Sequence, residues 1–150
     1  MKGEEDMGYR STVAYTIRFI PPQKDEPEKG LTAQNCRATF FTFLAEAKAN
    51  GDTAGAIADS EYLTIDEKEL TLNFFADDVK WYESYDDVKC HEALMDLSKE
   101  WADDGDCSNP YIAGAFARIG EEMEDVIEEV WGEGCYDWIS IHRSMSCDWM

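Results

Sequence analysis

Positive charge is what this chain most lacks. It carries 13 Lys and Arg against 33 Asp and Glu, a formal net charge of −20 over 150 residues. Lys and Arg neutralise nucleic-acid backbones and anionic lipid surfaces, so direct binding to either is not expected. Histidine is nearly missing: His91 and His142 are the only two. No apolar run approaches the roughly 20 residues of a membrane-spanning helix. The opening Met-Lys-Gly-Glu-Glu-Asp-Met-Gly has none of the apolar core of a secretory signal. Cys36, Cys90, Cys107, Cys135 and Cys147 are odd in number and irregularly spaced. Without an export signal, that pattern predicts reduced thiols in a cytoplasm.

The same lack extends to motifs. Structural zinc sites pair their ligands at short spacing, as in Cys-x₂₋₄-Cys. Here Cys90-His91 is the only close pair, and neighbours on a helix point about 100° apart. Asp103-Asp104-Gly105-Asp106 is rich in oxygen ligands but lacks the spacing of a calcium loop and its bidentate Glu. Gly114 to Gly120 lacks the Lys-Ser/Thr ending of a phosphate loop. No metal and no cofactor are therefore expected, and no catalytic residue is assigned. An enzymatic alternative centres on His142 in Ile141-His142-Arg143-Ser144, with Arg10 nearby, as a small hydrolase or phosphoesterase. On a strand His142 and Ser144 share a face but sit about 7 Å apart, too far for a direct hydrogen bond.

What the chain does have is aromatic and apolar content. It is 44% hydrophobic and 13% aromatic, where a disordered acidic tail has few aromatics. The length suits one domain. Residues 9–150 read as that domain, and residues 1–8 as a flexible extension.

Tyr9 to Ile20 alternates Val13, Tyr15, Ile17 and Phe19 with Thr12, Ala14, Thr16 and Arg18, which predicts a strand ended by Pro21-Pro22. Gln23 to Gly30 reads as a loop. Thr32 is a candidate N-cap for a helix with Cys36, Phe40, Phe43, Leu44 and Ala47 on one face, stopped at Asn50-Gly51. Tyr62–Ile65 and Leu70–Phe75 predict a hairpin about Asp66-Glu67-Lys68-Glu69. Val79–Tyr82 reads as a further short strand. Asp86 to Trp101 returns to helical spacing through Val88, Leu94, Leu97 and Trp101, with His91 and Met95 beside them. Pro110 suits a helix start, and Ile112, Phe116, Ile119, Met123, Val126, Ile127 and Val130 predict a third helix terminated by Gly132 and Gly134. Tyr136 to Met145 predicts a last strand. The order β-α-β-β-(β)-α-α-β points to a two-layer α+β domain. Its mostly antiparallel sheet of 4–5 strands carries about three helices on one face. A split β-α-β arrangement is one way to build it.

The acids are concentrated late. Residues 77–150 hold twenty Asp and Glu against five Lys and Arg, fifteen of the net twenty negative charges. On a helix over 110–131, Glu121, Asp125 and Glu128/Glu129 stack in steps of about 6 Å, with Glu124 alongside. Like charges so spaced cost a few tenths of a kcal/mol per pair, so such a helix gives up stability to display them. Asp86 and Asp87 form a second patch, and Trp81 and Tyr85 supply aromatics of the kind that dominate interface hot spots.

These residues predict an acidic protein-binding module without catalytic activity. Its partner would be a protein with a basic surface, a nucleic-acid-binding enzyme or repressor, inhibited by occlusion or nucleic-acid mimicry. In size and charge, though in no motif, the chain is similar to small acidic phage-encoded inhibitors of host nucleic-acid enzymes. A further alternative is a self-associating accessory protein joined through Trp and Tyr.

Overall fold

The computed structural model describes residues 9–102, 111–122, 124–132, 139–141 and 145–147. Strand β1 (Ser11–Phe19) follows the predicted alternation, and Val13, Tyr15, Ile17 and Phe19 are all buried. Helix α1 (Ala33–Ala49) starts at Thr32, whose hydroxyl accepts the Asn35 amide at 3.0 Å. It buries Cys36, Phe40, Phe43, Leu44 and Ala47, the stripe its spacing predicts. A single-turn helix, α2 (Ala54–Ile57), precedes β2 (Leu63–Asp66) and β3 (Thr71–Val79). Between these strands the Asp66 carboxylate accepts the amides of Lys68 and Glu69, and Leu70 closes the turn at φ +60°. Helix α3 (Asp86–Ala102) buries Val88, His91, Leu94, Met95, Leu97 and Ser98.

The sheet order is β2-β3-β1-β4-β5, antiparallel throughout. Strand β4 spans Ile112–Gly120 and β5 spans Val126–Gly132. β1 and β2 run parallel with β3 between them, joined through α1 and α2. β3 and β4 run parallel with β1 between them, joined through α3. These are two interlocked split β-α-β units. Both long helices lie on one face of the sheet, giving a two-layer α+β domain. Phe19 meets Phe40 at 5.3 Å and Phe43 at 5.4 Å, and Phe43 meets the edge of Trp101 at 5.3 Å. Tyr15 stacks on its cross-strand neighbour Phe74 at 4.9 Å.

Three expectations are corrected. The predicted helix over 110–131 is a β-hairpin, β4 and β5, among its described residues. Its three- and four-residue recurrence of apolar side chains arises from a different arrangement. β4 is a central strand buried on both faces, with small Ala113, Ala115 and Ala117 on one side and Ile112, Gly114, Phe116 and Arg118 on the other. Alanine-rich strands carry no alternation of polarity, so the periodic signal misleads. Second, Val79 closes β3, and residues 80–82 form no strand. Third, within the predicted 136–145 strand the described residues Ile139–Ile141 form β6, which pairs with a separate strand, β7 (Met145–Cys147). Pro110, the 103–106 loop and residues 1–8 lie outside the described residues.

Candidate functional site

Two helices packed at about 10 Å spacing cover about four strands at 4.8 Å each. The fifth strand, β5, is the sheet edge beside the flank of α3, tied to it by Trp131–Ser98 and Glu129–Lys99. Its helix-side residues Ile127, Glu129 and Trp131 face the flank of α3 across a groove. One end of that groove is a cavity of about 530 Å³ lined by Tyr9, Trp81, Tyr82, Phe116 and Ile127, with Glu83, Glu92, Arg118 and Asp125 between them. The other end, about 260 Å³, is lined by Glu92, Met95, Asp96, Lys99, Phe116 and Glu129. Glu92 and Phe116 are common to both.

Helix periodicity explains the α3 wall. Its buried stripe points at the sheet, so Glu92, Asp96 and Lys99, at steps of four and three residues, line the flank toward β5. The floor is set by Gly114. The Trp131 indole lies where a Cβ at Gly114 would stand, 2.3 Å from its ring atoms. The indole N–H donates to Ser98 Oγ at 2.9 Å, and Lys99 lies over the ring at 5.0 Å.

Both bases in the groove are engaged. Arg118 makes a forked contact to Asp125, at 2.8 and 3.2 Å, and the same carboxylate accepts the Tyr9 hydroxyl at 2.6 Å. These bonds, Tyr9 first, hold the Asp125 carboxyl below the usual range. Lys99 meets Glu129 at 2.8 Å and Asp96 at 3.8 Å. Glu83, Glu92, Asp96, Asp125 and Glu129 against two bases leave the groove with three negative charges in excess. Glu92 registers this. Burial, then the nearby carboxylates of Glu83 and Asp96, push its carboxyl up, with Lys99 pulling the other way. A site of this kind, acidic with aromatic walls, is chemically suited to ammonium and guanidinium groups.

The sequence-predicted site is brought together only in part. Trp81, Asp125 and Glu129 line the groove. Glu121 and Glu124 sit at the turn between β4 and β5, where Glu121 accepts the Arg10 amide at 2.5 Å. Glu128 projects from the opposite face of the sheet from Glu129. A strand turns successive side chains to opposite faces, so the predicted column of Glu121, Asp125 and Glu128 does not exist. Asp86 and Asp87 start α3 outside the groove lining, and the Asp87 carboxylate accepts the Val88 amide at 2.9 Å. Tyr85 is exposed beside Tyr82, ring centroids 5.1 Å apart. Sequence reasoning missed Glu83, Glu92, Asp96 and Tyr9. The spacing of Glu92, Asp96 and Lys99 on the polar flank of the Asp86–Trp101 stripe was the available signal.

His142, Arg143 and Ser144 lie outside the described residues. The other histidine is interior: Tyr15 Oη lies 2.6 Å from His91 Nδ1, and His91 Nε2 lies 2.8 Å from Asp59 Oδ2. Tyr15 and His91 are almost wholly buried, so no substrate reaches them. Among the described residues no three His, Cys, Asp or Glu side chains gather as a metal-holding group. No helix among them is long and apolar enough to cross a membrane. Comparison of the chain with protein-family models, curated proteins and solved structures finds no match.

Proposed function

We propose that this chain is an acidic protein-binding module that accepts the Lys and Arg side chains of a partner in the groove between α3 and β5. The observation that carries this reading is the groove itself: aromatic walls, three unmatched carboxylate charges, and both bases already bound by acids. Cations gain there from ring faces and from carboxylates whose mutual repulsion they relieve. Clustered Lys and Arg occur on proteins that handle nucleic acids, so a nucleic-acid-binding enzyme or repressor is the natural partner class. Docking over its basic surface would inhibit it by occlusion. The carboxylate column that nucleic-acid mimicry needs is not formed on β4 and β5, so occlusion is the mechanism put forward.

The test uses the chain and its Glu83→Gln/Glu92→Gln/Asp96→Gln variant as parallel baits in lysate of the native host. These side chains are exposed or half-buried, so the fold should survive. The native bait should retain a basic nucleic-acid-binding protein at low salt and release it at high salt, and the variant should recover at least tenfold less. Equal recovery by both baits, or a retained partner without a basic surface, overturns the reading.

A further inference from the structure

The outer edge of β5 can specify how the partner is held. The Gly120 amide donates to the Asp125 carbonyl at 2.8 Å. That fixes the alternation of the β4–β5 ladder: Ile127, Glu129 and Trp131 exchange backbone hydrogen bonds with β4, while Glu128 and Val130 turn their N–H and C=O groups outward and Val126 its C=O, the Val126 amide donating to the Glu124 carbonyl at 3.0 Å. Among the described residues no strand pairs with that edge. The edge is also apolar where it is open, since Val126 is 38% and Val130 63% exposed. The opposite edge strand, β2, has only four residues, a common way of blunting an edge.

We propose that the partner contributes an extended basic segment that adds to β5 as a sixth strand, which rests on the protein-binding reading above and deepens it. The chemistry selects the occupant. A second copy of this chain, paired antiparallel about Glu128, would set two glutamates directly opposite each other, an unfavourable cross-strand pair, between molecules of net charge −20 each. A segment with apolar–basic–apolar residues on one face matches Val126, Glu128 and Val130. Basic residues on its other face lie beside Ile127 and Glu129, at the mouth of the acidic groove. Main-chain hydrogen bonds then supply affinity, and the alternating side chains supply selectivity.

The probe is the capped heptapeptide Thr-Val-Lys-Lys-Lys-Val-Thr, whose pattern reads the same in either direction, titrated into the full chain. Its two valines and central lysine would point their N–H groups at β5. Methylating those three nitrogens should weaken binding at least tenfold, whereas methylating the two flanking lysine nitrogens should leave affinity within twofold. Hydrogen exchange should slow at Glu128 and Val130 in the complex. No binding by the parent peptide, equal affinity of the two methylated peptides, or a dimer with these amides protected in the chain alone overturns strand addition. If the two methylated peptides bind alike while the groove variant loses the basic partner, the protein-binding reading stands and only the strand geometry falls.

Discussion

Tyr15, His91 and Asp59 form a hydrogen-bonded line from the core to the surface, and its directions are set by its outer end. Asp59 is a carboxylate and can only accept, so His91 Nε2 carries the proton and Nδ1 accepts from the Tyr15 hydroxyl. Every polar atom of the line is then satisfied. Tyr15→Phe leaves Nδ1 buried with no donor and should cost about 1–3 kcal/mol, read as a shift in the denaturant midpoint at constant slope. The line also predicts a response to acid. Burial holds His91 below its ordinary value, against the opposing pull of Asp59. The unfolded chain takes up this proton near pH 6.5 and the folded chain only at lower pH. The contribution of His91 to stability is therefore complete above that pH. It is lost as pH falls from about 6.5 to the folded value, and is level below it. Ring nitrogen shifts followed from pH 8 to 5 should keep the neutral Nε2–H form to lower pH than in a free histidine. A His91 that titrates at or above the ordinary value would contradict the buried geometry.

At the scale of the element, β4 is the place where local pattern and tertiary context disagree, and Gly114 separates them by sign. In an exposed helix Gly→Ala stabilises by up to about 1 kcal/mol. On β4 the new Cβ would stand 2.3 Å from the Trp131 ring, so Gly114→Ala should destabilise by about 1–3 kcal/mol as the indole is displaced, with a change in tryptophan emission. A stabilised variant would restore the helix. The contrast shows which parts of the fold were legible. β1 and α1 announce themselves because the side chains they turn to the helix–sheet core are large and apolar at a regular period, Val13 to Phe19 at period two and Cys36 to Ala47 at period 3.6, even though β1 also buries the smaller Ala14 and Thr16 on its other face. β4 is covered on both faces, so its residues answer to the space available on each side, and Ala113, Ala115 and Ala117 leave no polarity for a reader to follow. The hairpin turn after Gly120 has no Asn-Gly signal either. The groove inherits the same difficulty. Its α3 flank was legible as the polar side of an amphipathic stripe. That Glu129 would face it and Glu128 would not depends on the strand register, which residue spacing on a helix inverts.

For the whole molecule, one quantity acts in two directions. A net charge of −20 on a chain this small opposes its own compaction. The described ion pairs relieve little of it, since most lie at the surface. Salt screens exposed charges beyond a Debye length, about 30 Å at 0.01 M and 8 Å at 0.15 M. Over that range sodium chloride should raise the melting temperature, because repulsion within the folded chain falls while the buried core is untouched. The same ions weaken the attraction that draws a basic partner to the α3–β5 groove, so the association rate should drop by tenfold or more as the melting temperature climbs. Calorimetry and stopped-flow measurements in one buffer series test the pair together. Opposite signs identify the acids as a long-range field that costs stability and recruits partners. A melting temperature that falls with salt would mean that local ion pairs such as Arg118–Asp125 and Lys99–Glu129 outweigh the field, and the acidic surface would then be holding the fold together.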